Sequence, residues 1–74
     1  MPHSFPANGV ERLDINRASE QDLETLPGIG PKTAAAVIRH REENGPFLRI
    51  EEIMLVEGIG EKQFQKIRYQ IAVK

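Results

Sequence analysis

The sequence predicts an all-α domain of four short helices, paired into two hairpins about a pseudo-twofold axis. Three observations carry that expectation: a repeat at a fixed offset of 30, apolar residues at helical spacing within each copy, and no strand-like alternation anywhere. Chain size agrees with it. A chain of 74 residues buries only about 60% of its unfolded surface, so the core must come from local helical contacts and a second core has no room.

Residues 1–12, with Pro2, Pro6, Asn8-Gly9 and few aliphatics, are expected to be a flexible tail, and residues 13–74 the folded domain. Leu13 and Ile15 are expected to join the core, with Asn16 in a local turn. Ser19, followed three residues later by Asp22, offers a hydroxyl for a free amide and an acid for the positive helix end, so a helix is expected over Glu20 to Thr25. Pro27 disfavours helix at Leu26, and Leu26-Pro27-Gly28-Ile29 has Pro and Gly at the central positions of a type II turn. Ile29 is then a plug into the core, Gly30 an N-cap, and Pro31 the first residue of a second helix, where its missing amide costs nothing. That helix carries Ala34, Val37 and Ile38 on one face, and Asn44-Gly45-Pro46 ends it.

The second copy aligns residue for residue: 23, 26 and 29 with 53, 56 and 59, glycines 28 and 30 with 58 and 60, Lys32 with Lys62, Val37 with Ile67. It is expected to begin near Ile50, face Ile53 and Val56 inward, turn at Glu57-Gly58 and continue from Glu61 with Phe64, Ile67 and Ile71 as an apolar stripe. Arg49 stands where the first copy has Ser19, so its helix start lacks a side-chain acceptor. Two copies are too few for a solenoid, which leaves a unit closed on itself.

Composition narrows the functions. The absence of cysteine removes disulfide frameworks and thiolate zinc sites, and His3 and His40 are too few and too scattered to share a metal. No cofactor is expected. No run of eighteen apolar residues exists and residues 1–10 lack a signal-peptide pattern, so a soluble chain without membrane contact of its own is expected. The net charge of -1 conceals a segregation. Residues 31–41 and 58–74 hold Lys32, Arg39, Arg41, Lys62, Lys66, Arg68 and Lys74 against one acid, Glu61, while the acidic residues concentrate elsewhere.

The two Gly-Ile-Gly turns are where chemistry is expected. A helix start exposes amides without intrahelical partners at a positive dipole end, which together bind anions. Gly28 and Gly30, and Gly58 and Gly60, remove side chains that would hold a phosphate oxygen away from the main chain. Lys32 and Lys62, at the second helical position of each copy, can reach such a phosphate as mobile charges; Thr33 can add a hydroxyl and Gln63 an amide. Lys66 lies one turn after Lys62 as a peripheral contact. A lone Gly-x-Gly is more often only a turn, but two copies followed by lysines favour phosphate contact. The main chains of Ile29 and Ile59 are expected to belong to the phosphate site while their side chains are core plugs; Arg39, Arg41, Arg68 and Lys74 are read as solvated charges, Tyr69 as partly buried and His40 as a surface residue near a helix end. Main-chain donors read phosphate position and not base sequence. Matched clamps about a dyad suit a DNA duplex, whose two backbones are themselves related by local dyads.

Leu26-Pro27-Gly28-Ile29-Gly30 and Val56-Glu57-Gly58-Ile59-Gly60 resemble the paired helix-hairpin-helix motif. With Ile15-Asn16-Arg17-Ala18-Ser19, Arg41-Glu42-Glu43-Asn44-Gly45-Pro46-Phe47 and Gly58-Ile59-Gly60-Glu61-Lys62, the stretch from Leu13 to Val73 resembles the DNA-binding domain of ComEA-type competence proteins. The resemblance implies a compact SAM-like bundle and a non-enzymatic role: sequence-independent binding of double-stranded DNA at the minor groove, in bacterial DNA uptake during transformation. It also implies a receptor anchored at the outer face of the cytoplasmic membrane when a longer form carries the anchor, other uptake-machinery proteins as partners, and room for a monovalent cation at a hairpin. A monomer is expected.

Competing activities fit less well. Walker A needs a contiguous Gly-Lys-Ser/Thr after a strand, whereas Pro31 intervenes between Gly30 and Lys32. The dinucleotide fingerprint lacks its third glycine, and a glycosylase needs a base pocket in a larger domain. The alternatives are a protein-protein interaction module, using the acidic segments from Glu11 to Glu24 and Glu42 to Glu57, and an accessory domain of DNA repair.

Overall fold

Ser19 and Asp22 close a full capping box: the Asp22 N–H donates to Ser19 Oγ at 3.0 Å and the Ser19 N–H to Asp22 Oδ2 at 3.2 Å. Such a cap is worth about 1 kcal/mol, and it starts helix α1, Glu20–Glu24. In the computed structural model, which describes residues 11–74, α1 is followed by α2 (Pro31–Asn44), a 3-10 helix (Ile50–Leu55) and α3 (Glu61–Ile67). Each helix of the second copy begins 30 residues after its counterpart in the first. The tail expected over residues 1–12 lies outside the described residues but for Glu11 and Arg12, which are exposed.

The second copy opens differently for the reason its sequence gives. Arg49 offers no acceptor at the N-cap, and Glu52, the counterpart of Asp22, accepts from the Leu48 N–H at 3.0 Å. One methylene longer than Asp, it reaches one residue further back. Without the box, the segment winds as a 3-10 helix instead of an α-helix.

The core repeats as well. Leu23 and Ile53, Leu26 and Val56, Ile29 and Ile59, Ala34 and Phe64, and Val37 and Ile67 are each pairs at the same offset, and all ten residues are buried. Ile15, Ala18, Phe47 and Ile71 complete the cluster, which contains no buried polar or charged residue among those described.

Two short strands, Leu13–Asp14 (β1) and Ile71–Ala72 (β2), pair in parallel, a two-residue ladder that ties the ends of an otherwise all-α domain. The Leu13 N–H donates to Gln70 O at 2.8 Å and the Ile15 N–H to Ala72 O at 3.0 Å. For the same reason the last helix stops at Ile67: Ile71 is buried, but from β2, where the main chain finds partners that another helical turn would not supply.

Other expectations are corrected at the long loop between α2 and the 3-10 helix. Asn16 turns locally through its own N–H, which donates to Asp14 Oδ1, yet its side chain bridges to Phe47: the Phe47 N–H donates to Asn16 Oδ1 at 2.7 Å, and Asn16 Nδ2 donates to Phe47 O at 3.0 Å. Arg41 is no solvated charge, since its guanidinium donates to Ile15 O at 2.9 Å. His40 is half-buried, its ring stacked on Phe47 at 5.1 Å between centroids. Tyr69, expected to be partly buried, is 71% exposed, with the Arg68 guanidinium 5.4 Å from its ring centroid and 5.3 Å from that of Phe64.

Candidate nucleic-acid interface

Both turns close with the same hydrogen bonds. In the first, the Leu26 N–H donates to Leu23 O, the Ile29 N–H to Leu26 O and the Ala34 N–H to Gly30 O; in the second, Val56 donates to Ile53 O, Ile59 to Val56 O and Phe64 to Gly60 O. All six lie between 2.9 and 3.1 Å. Gly28 at φ 79° and Gly58 at φ 101° hold the left-handed position of the turn, which other residues rarely adopt. Gly30 and Gly60 cap α2 and α3 with nearly identical extended backbones, φ -98° and -91°, both at ψ -173°.

The expected site residues divide by what the turns already use. Ile29 and Ile59 engage their N–H groups within the turn and bury their side chains, so they rigidify the hairpins and present no free donor there. The first intrahelical bonds are those of Ala34 and Phe64, which leaves the amides of Lys32 and Thr33, and of Lys62 and Gln63, without intrahelical acceptors. Nothing lies within 4 Å of where a Cβ would stand on Gly30 or Gly60. These helix starts are open.

Thr33 and Gln63 do something the sequence did not reveal. Gln63 Nε2 donates to Pro27 O of the first hairpin, and its amide lies where a Cβ on Gly28 would come within 2.6 Å of it. Thr33, at the equivalent position of the first copy, sets its Oγ1 3.1 Å from the corresponding point on Gly58. Each copy thus reaches into the other's turn, and such reciprocity, in which i meets j and j meets i, is the signature of a twofold contact. The two hairpins are neighbours across that axis. Residue identity gives no signal for this; only the repeat register, combined with closure about a dyad, could have pointed to it.

Charge follows the same crossing. Lys32 lines a cleft of about 290 Å³ together with Thr33, Ala36 and Arg39 of α2 and with Glu57 and Gly58 of the second hairpin. Lys32, Lys62, Lys66 and Arg39 are exposed and in no ion pair among the described residues, whose pairs are Arg17 with Asp14 and Arg49 with Glu51. Acidic Glu57 and Glu61 flank the second turn, whereas Pro27 and Pro31 hold those places in the first. No helix among the described residues is long and apolar enough to cross a membrane.

Residues 9–72 match the family described as the helix-hairpin-helix motif. ComE operon protein 1 of Bacillus subtilis is 50% identical over 62 residues, which are 84% of this chain and 30% of that protein. The human endonuclease/exonuclease/phosphatase family domain-containing protein 1 is 38% identical over 63 residues, 85% of this chain and 11% of that one. A Haemophilus influenzae protein is 37% identical over 67 residues, 89% of this chain and 60% of its own. The chain therefore spans only part of the relatives it matches. With the hairpin repeated in sequence, hydrogen bonding and burial, and the family pattern covering residues 9–72, the chain belongs to the helix-hairpin-helix family.

Proposed function

We propose that the domain binds double-stranded DNA without regard to sequence, each hairpin holding a phosphate of one strand across the minor groove, and that it serves DNA uptake during competence. The observation that carries this reading is the pair of open, matched helix starts at Gly30 and Gly60, set side by side about a pseudo-dyad. Free main-chain amides at a positive helix end favour phosphate, and Lys32 and Lys62 add charge beside them. Gly28 and Gly58 shape the turns, Ile29 and Ile59 stiffen them from below, Thr33 and Gln63 contribute their main-chain N–H groups, and Lys66 contacts a neighbouring phosphate. The 50% identity to ComE operon protein 1 supports the uptake context. The role is non-catalytic.

Neutralising about four phosphates gives a slope near -3.6 in log affinity against log salt, a loss somewhat above about a hundredfold from 50 to 200 mM. Affinity at physiological salt falls in the nonspecific range of about 10⁻⁴ to 10⁻⁶ M. Fluorescence anisotropy with two unrelated duplexes of equal length tests this, repeated on Gly30→Glu with Gly60→Glu. Both positions have ordinary φ and open space, so the double variant folds while placing carboxylates at the helix starts. Undiminished binding by the folded double variant defeats the proposal.

A protein-docking role has its own observation: Leu48 and Leu55 are 76% and 70% exposed. Binding with no salt slope, lost in Leu48→Ser with Leu55→Ser, would favour it.

A further inference from the structure

We infer that Thr33 and Gln63 are positioning residues that fix the spacing between the hairpins, and so make the pair selective for B-form over A-form duplex; this rests on the duplex-binding reading above. Both side chains leave their own copy and lie over the other's left-handed glycine, Gln63 with a hydrogen bond to Pro27 O and Thr33 with its Oγ1 3.1 Å from where a Cβ on Gly58 would stand. The gap between the turns is therefore set by the thickness of one side chain on each side of the axis. Glycine at 28 and 58 is what permits it, because a Cβ there would come within 2.6 Å of the Gln63 amide and 3.1 Å of Thr33 Oγ1. The Gln63 amide donor is already engaged and is not free for a phosphate.

Spacing matters because the grooves differ. The B-form minor groove is narrow, about 6 Å wide, whereas that of an RNA duplex is wide and shallow. Two clamps locked at one separation match the phosphates of one form only; unlocked, they accept both at the cost of ordering themselves on binding. The lock is also unequal, since only the Gln63 side carries a hydrogen bond. Gln63 is therefore the stronger determinant.

The test compares anisotropy on DNA and RNA duplexes of one sequence at one salt concentration, for the wild type, Thr33→Ala, Thr33→Ser, Gln63→Ala and Gln63→Met, with thermal melts as the check on folding. The wild type prefers DNA. Gln63→Ala lowers DNA affinity about threefold or more, the scale of the cost of ordering one side chain on binding, does not lower RNA affinity and so shrinks the preference; Thr33→Ala does so less, and Thr33→Ser restores it. Gln63→Met, which keeps bulk over Gly28 without the donor, carries the test if Gln63→Ala fails to fold. An unchanged DNA-to-RNA ratio overturns the inference. So does an equal proportional loss on both duplexes with the salt slope unchanged, since that is direct phosphate contact by the uncharged Gln63 side chain. A wild type that binds both forms equally overturns the spacing inference alone, while one that binds neither overturns the duplex-binding reading and this inference with it.

Discussion

Substituting Gly28 by Ala perturbs the junction between the copies at its tightest point. Gly28 sits at φ 79°, so an added Cβ meets left-handed strain of about 1–2 kcal/mol. The same Cβ would stand 2.6 Å from Gln63 Nε2, a contact that the flexible side chain relieves only by leaving Pro27 O. That forfeits about 1 kcal/mol. Lower entropy of the unfolded chain returns roughly 0.4–1 kcal/mol, for a net loss of about 1–2.5 kcal/mol, or roughly 4–20 °C in Tm for a domain of this size. Gly58→Ala, at φ 101°, meets Thr33 Oγ1 at 3.1 Å but breaks no hydrogen bond, so it costs about 1 kcal/mol less. Gly30→Ala, at φ -98° with nothing nearby, is close to neutral. Urea unfolding followed by circular dichroism resolves these differences, and a double-mutant cycle isolates the mechanism. In a Gln63→Ala background the cost of Gly28→Ala shrinks by about 1 kcal/mol. Strict additivity, or a larger cost at Gly58 than at Gly28, refutes the crossed contact.

Asn16→Ala removes both hydrogen bonds to Phe47 and should destabilise by about 2–3 kcal/mol in chemical denaturation. Arg41→Ala loses the bond to Ile15 O and should cost about 1.5–3 kcal/mol, whereas exposed Arg39→Ala leaves the unfolding midpoint unchanged, a contrast two melts settle. Ile67→Ala, fully buried, should cost about 2–5 kcal/mol. On duplex DNA, Lys32→Ala should lose more affinity than Lys62→Ala, because Glu61 beside Lys62 already offsets the positive start of α3, where Pro31 holds the equivalent place in α2; equal losses by anisotropy would count against that asymmetry.

What was legible in the sequence was what the repeat encodes locally. Apolar 23, 26, 29 and 37 with their counterparts gave the core; Pro27-Gly28 gave the turn, and Ser19 against Arg49 gave the unequal helix starts. The features missed are those in which one residue serves a distant partner. Leu13–Asp14 and Ile71–Ala72 are too short to show alternation, and their pairing follows from where the fold brings the chain ends. Asn16 carries a turn signal that gives no hint of Phe47, 31 residues away. The Gly-Ile-Gly pattern likewise pointed to anion binding at all its positions, while the structure divides them: Gly30 and Gly60 are open, and Gly28 and Gly58 face side chains from across the axis. Tyr69, expected to be partly buried, is exposed because its position lies off the face of Phe64, Ile67 and Ile71.

The ladder between Leu13–Asp14 and Ile71–Ala72 runs in parallel, so the polypeptide enters it at one end and leaves it at the other. Traction on the two ends of the domain would then act along the strands, loading the Leu13 and Ile15 bonds together instead of peeling them apart in turn. So short a fastening is weak against unzipping but resists sliding, which lets the hairpins keep their relative pose while the polypeptide is under tension.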